Sequence, residues 1–161
     1  MTSEADTVHK VRRMSNLYVP AQDRFRLAAE LDDGQVQVLW LTQRLLRLML
    51  APLADHFGKN PAPGVEQKAC RTYAELMHKV SGKAGPPLAS LAVSREWLVE
   101  SIDIRFSPAV CFVFKGQHGE GVSMEMDPLK VRKWLGILHR KSVKAGWPDA
   151  LWPHDVVTEL E

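Results

Sequence analysis

The histidines and cysteines are the side chains of this sequence that could bind a transition metal. A zinc site in a protein uses histidine or cysteine ligands at short, defined spacings along the chain, such as two cysteines separated by two residues. Here the six histidines are scattered, and the two cysteines, Cys70 and Cys111, lie far apart in apolar surroundings. We therefore expect no metal site and no cofactor, and we expect both cysteines to be buried, reduced thiols.

Two further patterns could support catalysis, and neither is complete. A nucleophilic serine of the hydrolase type requires a G-x-S-x-G turn, and no serine of this sequence lies in one. Segment 115–121, KGQHGEG, has the glycines of a phosphate-binding loop, but a strand-like segment follows it where such a loop requires a helix. The segment therefore predicts a hairpin turn, and we expect neither catalytic residues nor a small-molecule substrate.

The segment between Pro128 and Gly146 contains six cationic side chains and no acidic one. On a helix, at 100° per residue, five of the six fall within one arc of about 100°, and the opposite arc is apolar. These five are Lys130, Lys133, Arg140, Lys141 and Lys144. One interpretation is a solvated face whose last cations complement the helix dipole. The other is a surface that binds nucleic acid or another acidic partner, whereas a membrane surface is disfavoured because no row of aromatic residues flanks the cations.

Residues 147–161 form an acidic segment with two Trp-Pro pairs and no Lys or Arg. Trp147 and Trp152 either pack back onto their own sheet or dock on a second subunit or another partner, where buried tryptophan is a favoured anchor. We therefore regard both as candidate partner-binding residues. An acidic segment beside a basic helix could also mask that helix, in the same chain or in a neighbouring one.

Alternating apolar residues predict strands, and apolar residues at helical spacing predict helices. The predicted strands cover 24–31, 36–40, 101–106, 110–115 and 122–126. The predicted helices cover 43–57, 65–80 and 128–145. Thr42 and Asp127 are the expected N-caps of the first and last helix, and Pro52 predicts a kink or a restart of the helix.

Together these elements predict an α+β domain. Sequence-adjacent strands joined by tight turns imply antiparallel pairing, so we expect an antiparallel β-sandwich or barrel of two β segments with an inserted helix pair and a C-terminal helix. The single domain is expected to cover 21–146, between a flexible N-terminal arm, 1–20, and the acidic segment 147–161. A chain of 161 residues is long enough to bury a core of its own.

The apolar run from Val38 to Leu53 is too short to cross a bilayer, and Arg44 and Arg47 interrupt it. We interpret it as one wall of the core. The first 20 residues mix charges and lack the apolar stretch of a secretory signal, so we expect a cytoplasmic protein without a membrane partner.

Two segments, FRLAAELDDGQVQVLWLT and SIDIRFSPAVCFVFKGQHGEGVSMEMDPLKV, stand on either side of the predicted helix pair. Over residues 24–135 this order of elements resembles the head domain of the X-ray-repair cross-complementing end-joining scaffolds and of the related centriolar spindle-assembly proteins. The resemblance implies a small antiparallel β-sandwich or barrel braced by a helix-turn-helix insertion, and a scaffold role without catalysis. The long dimerising coiled coil of those proteins has no counterpart after the last helix, which AGWPDALWP ends.

The sequence therefore predicts a non-catalytic protein-protein interaction or scaffold module that self-associates, as a homodimer or larger homo-oligomer, or binds another protein. The alternative is a nucleic-acid-binding module that uses the basic C-terminal helix. The net charge of +2 is too small to make the whole surface a polyanion binder, so any nucleic-acid role depends on this local patch.

Overall fold

The computed structural model describes residues 8–59 and 87–160, in which six strands close into a barrel. The strands are β1 (His9–Val19), β2 (Arg24–Leu31), β3 (Val36–Leu41), β4 (Val93–Arg105), β5 (Val110–Gly116) and β6 (Gly121–Met126). The α-helices of the described residues are α1 (Gln43–Lys59), α2 (Pro128–Lys144) and α3 (His154–Leu160). Short 3-10 turns cover Leu88–Ser90 and Asp149–Leu151. The predicted α+β class is thus confirmed, and the second helix of the predicted pair, 65–80, lies outside the described residues.

The barrel is a mixed sheet, so the prediction of purely antiparallel pairing is wrong. The strands follow one another around the barrel in chain order, and the neighbours joined by tight turns are antiparallel. In contrast, β3 pairs with β4, and β6 pairs with β1, in parallel. A parallel pair needs a long connection that returns the chain to the same end of the sheet, and the segment between β3 and β4, which contains α1, is such a connection.

Residues 9–19, which we expected in a flexible N-terminal arm, form β1 and complete the barrel between β2 and β6. The alternation that would have predicted this strand is broken by a bulge between Val11 and Arg13. Because a bulge adds one residue to one strand, apolar side chains on either side of it no longer keep a spacing of two. The strand was missed for this reason.

The apolar run of the first predicted helix is a wall of the core, as expected. Thr42 accepts a hydrogen bond from the backbone N–H of Leu45 at 3.3 Å, which confirms the predicted N-cap. The helix then continues through Pro52 to Lys59. Its buried side chains join one core cluster with the interior of the barrel, and they are Leu45, Leu46, Met49, Leu50, Leu53 and Phe57. Over the described ranges, no helix has both the length and the apolar content that a bilayer-spanning segment requires.

Candidate nucleic-acid interface

Helix α2 begins and ends where the sequence predicted. The carboxylate of Asp127 accepts a hydrogen bond from the backbone N–H of Lys130 at 2.8 Å, and proline occupies the first helical position. Gly146, with a φ of +78°, follows the helix in the left-handed conformation that favours glycine. The ring N–H of Trp134, on the buried side of α2, donates to Asn16 of β1 at 2.9 Å. The inner side of α2 is thereby fixed to the barrel.

The outer side of α2 presents the basic residues that the sequence placed on one arc. All five are exposed or half-buried: Lys130, Lys133, Arg140, Lys141 and Lys144. Within the described residues, none of them forms an ion pair with a carboxylate. We call this set the basic face of α2. Its charges are held on a rigid element and are directed to solvent, which leaves them available to an anionic ligand.

The sixth cation of α2, Arg132, is used inside the protein. Its Nε lies 3.0 Å from Oε2 of Glu159 in α3, and the two side chains are only 10% and 5% exposed. The guanidinium also lies over the ring of Phe57, 5.0 Å from its centroid. Among the described residues, this ion pair is the one that joins the acidic C-terminal segment to α2, so Glu159 neutralises Arg132.

The two tryptophans of the C-terminal segment pack within their own chain, and each is 6% exposed. The ring N–H of Trp147 donates to Asp23 at 2.7 Å, and the ring contacts Tyr18 and Phe25 edge-on. The ring N–H of Trp152 donates to the hydroxyl of Ser142 at 2.9 Å. Trp147 thus packs against β1 and β2, whereas Trp152 packs against α2, so the indoles offer little surface to a partner.

A cleft of about 670 Å³ lies between the first turn of α1, β4 and the β5–β6 turn. Its charged lining residues are Arg44, Glu96, Glu100, His118 and Glu120. The sequence does not predict this site, because its residues are too far apart along the chain to form a motif. The volume is in the range of small-molecule sites.

Two of the three carboxylates in the cleft already have hydrogen-bond donors in the protein. Glu96 accepts from the ring N–H of Trp40, and Glu120 accepts from the backbone N–H of His118 at 2.7 Å. Burial alone would raise the pKa of Glu120, but backbone hydrogen bonds and the charge of Arg95 outweigh it and lower the pKa. A Cβ on Gly116 would lie 2.6 Å from the Glu120 carboxylate and 2.8 Å from the Trp97 ring, so glycine lets both side chains pack closely here. Glu120 thus serves as an ionised part of the cleft wall.

One group of potential metal ligands comes together in the described part of the chain, at the β2–β3 turn. His9 Nδ1 lies 3.0 Å from the carboxylate of Asp32, and His9 Nε2 lies 3.8 Å from that of Asp33. Asp33 also accepts from the backbone N–H of Gln35, and the hydrogen bond with His9 lowers the pKa of Asp32. Sequence spacing could not reveal this group, because β1 brings His9 to a turn 23 residues later in the chain. These contacts join the start of β1 to the β2–β3 turn.

The comparisons with known proteins are negative: no family model, no curated protein and no solved structure matches this chain. The resemblance to the end-joining and centriolar head domains therefore stays a prediction.

Proposed function

We propose that the protein is a non-catalytic binding module that holds nucleic acid by its phosphates on the basic face of α2. The observation that carries this proposal is a set of five cations, on a helix whose other side is anchored in the core, that form no ion pair within ranges 8–59 and 87–160. Phosphates of nucleic acid attract such a surface, and their neutralisation releases condensed counterions, which favours binding.

The same geometry predicts contacts with the phosphates and few contacts with the bases. Bases stack on exposed aromatic side chains in proteins that bind single strands. Here the aromatic residues on and just after α2 are Trp134, Trp147 and Trp152, and each is 6% exposed. Lysine and arginine contacts to phosphates set position and affinity without sequence information. We therefore expect binding with weak sequence preference.

The absence of catalysis is part of the proposal, since the sequence contains no complete catalytic motif.

Binding of duplex DNA to the double variant Lys133→Ala/Arg140→Ala tests the proposal. Each lost phosphate contact is expected to reduce affinity and to lower the steepness of the salt dependence by about one. The matched control is Arg44→Ala/Arg47→Ala, which removes two exposed cations from α1 that form no ion pair in the described residues. We expect the α2 variant to bind DNA more weakly than the wild type, and the control variant to bind it as the wild type does. If the wild-type protein is not retained on immobilised DNA or RNA at low salt, the proposal is wrong.

Self-association, the function that the sequence placed first, is the second candidate, and the separation of charge favours it. The cleft collects Glu96, Glu100 and Glu120, whereas the basic face of α2 has no acid paired with it in the described residues. One copy could place α2 against the cleft of the next, which is a head-to-tail contact. Light scattering over a concentration series at low salt tests this candidate. A monomer at every concentration would rule it out.

A further inference from the structure

We infer that His9, Asp32 and Asp33 form a binding site for a divalent transition-metal ion of the zinc type. The site goes beyond the proposed function, because none of these residues belongs to the basic face of α2. The sequence predicts no metal site, since His9 is separated from both aspartates by more than a motif's length. The fold brings the three together, and one donor atom from each lies within 4.8 Å of the other two.

The pairing of β1 with β2 determines where these side chains meet. Val11 of β1 lies opposite Leu31, the last residue of β2. Because the two strands are antiparallel, the start of β1 at His9 extends past this pair to the turn that begins at Asp32. The backbone N–H of Asp32 donates to the carbonyl of Lys10 at 2.9 Å. The backbone thus holds the turn against β1 independently of the side-chain contacts.

The ring of His9 is oriented so that one of its nitrogens is available to a metal ion. Nδ1 lies 3.0 Å from Oδ1 of Asp32. An ionised carboxylate can only accept a hydrogen bond, so Nδ1 carries the proton of the neutral ring and Nε2 keeps its lone pair. In metal sites, a histidine ligand commonly donates its other ring N–H to a carboxylate in this way, which fixes the direction of the ring.

Nε2 of His9 faces Asp33 across a gap that suits an ion. Oδ2 of Asp33 lies 3.8 Å from Nε2, which is too far for a hydrogen bond. Zinc holds nitrogen and oxygen ligands at about 2.0–2.2 Å, so two ligands at a tetrahedral angle are about 3.4 Å apart, and further apart at a wider angle. The other oxygen of Asp33, Oδ1, accepts from the backbone N–H of Gln35 at 3.0 Å. This hydrogen bond fixes the carboxylate with Oδ2 toward the ring.

The charge and the type of the donors select the ion. Two ionised carboxylates and one neutral imidazole together balance the charge of a divalent cation. An imidazole nitrogen suits zinc and similar transition metals, whereas magnesium and calcium prefer a shell of oxygen ligands. The three side chains are between 35% and 50% exposed, so water can complete the coordination of the ion.

A bound ion joins parts of the barrel that are distant in the chain. His9 is one of the two residues through which β1 pairs with β6, and the aspartates lie in the turn between β2 and β3. In the unfolded chain the histidine and the aspartates are far apart, so the ion binds the folded arrangement. Zinc should therefore raise the midpoint temperature of thermal unfolding.

Calorimetric titration of the untagged full chain with zinc chloride, at about pH 7.5 where imidazole is neutral, tests the inference. We expect the wild type to bind zinc, and His9→Gln and Asp33→Asn to lose this binding because each removes a ligand. Asp32→Asn should weaken it by about 10- to 100-fold, the usual cost of changing the group that orients a metal-bound histidine. Asp33→Asn keeps an oxygen that accepts from Gln35, so it provides the test even if His9→Gln does not fold.

The matched control is His118→Gln, which removes an exposed histidine from the β5–β6 turn and should bind zinc as the wild type does. Zinc should raise the unfolding temperature of the wild type and of this control, and should leave that of Asp33→Asn unchanged. If the wild type does not bind zinc, or if Asp33→Asn binds it as tightly as the wild type, the inference is wrong. Magnesium chloride that bound as tightly as zinc would contradict the assignment to a transition metal.

Discussion

At the scale of single residues, Asp23 joins three parts of the molecule. Its carboxylate accepts hydrogen bonds from Tyr18 of β1 and from Trp147 after α2, and it does so from a backbone with a φ of +52°. Aspartate and asparagine tolerate this left-handed conformation better than most other residues. The Tyr18 hydroxyl first, and the Trp147 ring N–H second, lower the pKa of Asp23.

Substitution Asp23→Ala is expected to destabilise the fold by about 1–3 kcal/mol, because it leaves the nearly buried Trp147 N–H without its acceptor. Asp23→Asn is the matched control, since its amide oxygen still accepts and its backbone tolerates the turn, and it should cost less. Urea unfolding measures both. Equal stability of Asp23→Ala and wild type would show that the contact contributes nothing.

The same contact predicts a pH dependence with a defined sign. Because folding lowers the pKa of Asp23 below its ordinary value of 3.8, the stabilisation is present above that value and is lost as the pH falls through the folded pKa. The difference in unfolding free energy between wild type and Asp23→Asn should therefore shrink with acidification below about pH 4. A difference that stayed constant over this range would contradict the assignment.

At the scale of elements, α3 is held against α2 by the Arg132–Glu159 ion pair. Substitution Glu159→Ala leaves a nearly buried guanidinium without this carboxylate, which typically costs about 3–5 kcal/mol. We expect a loss of this size in chemical denaturation. The double variant Arg132→Met/Glu159→Leu removes both charges and should recover most of it. If the double variant is as unstable as the single one, the loss comes from packing of α3 and not from the charge.

The elements also show which features a sequence can predict. Local signals sufficed for the β2–β3 hairpin, with its Asp32 to Gly34 turn, for the caps Thr42 and Asp127, and for the basic face of α2. Each depends on residues within a few positions of one another. The bulge in β1 hid a strand, and the parallel pairs depend on a long connection.

The parts of the candidate site that the sequence could not predict depend on distant contacts. The Trp147–Asp23 hydrogen bond joins residues 124 positions apart, and the cleft collects side chains from α1, β4 and the β5–β6 turn. Neither the hydrogen bond nor the cleft corresponds to a residue spacing that could be identified in the sequence.

At the scale of the whole molecule, the barrel is closed by a short seam. β1 pairs with β2 over most of its length, but it pairs with β6 only through His9 and Lys10. In the described residues, the rest of β1 therefore has a strand partner on one side only. The small net charge of +2 is a sum of unevenly distributed charges. The basic face of α2 has no paired acid in the described residues, whereas the cleft contains three carboxylates beside Arg44 and His118.

The salt dependence of duplex DNA affinity tests the central claim most directly. If the five cations of α2 each neutralise one phosphate, the logarithm of the association constant should fall against the logarithm of salt concentration with a slope of about −4.5. For Lys133→Ala/Arg140→Ala the slope should become shallower by about two. An identical slope for wild type and variant, or no wild-type binding at low salt, would contradict the account.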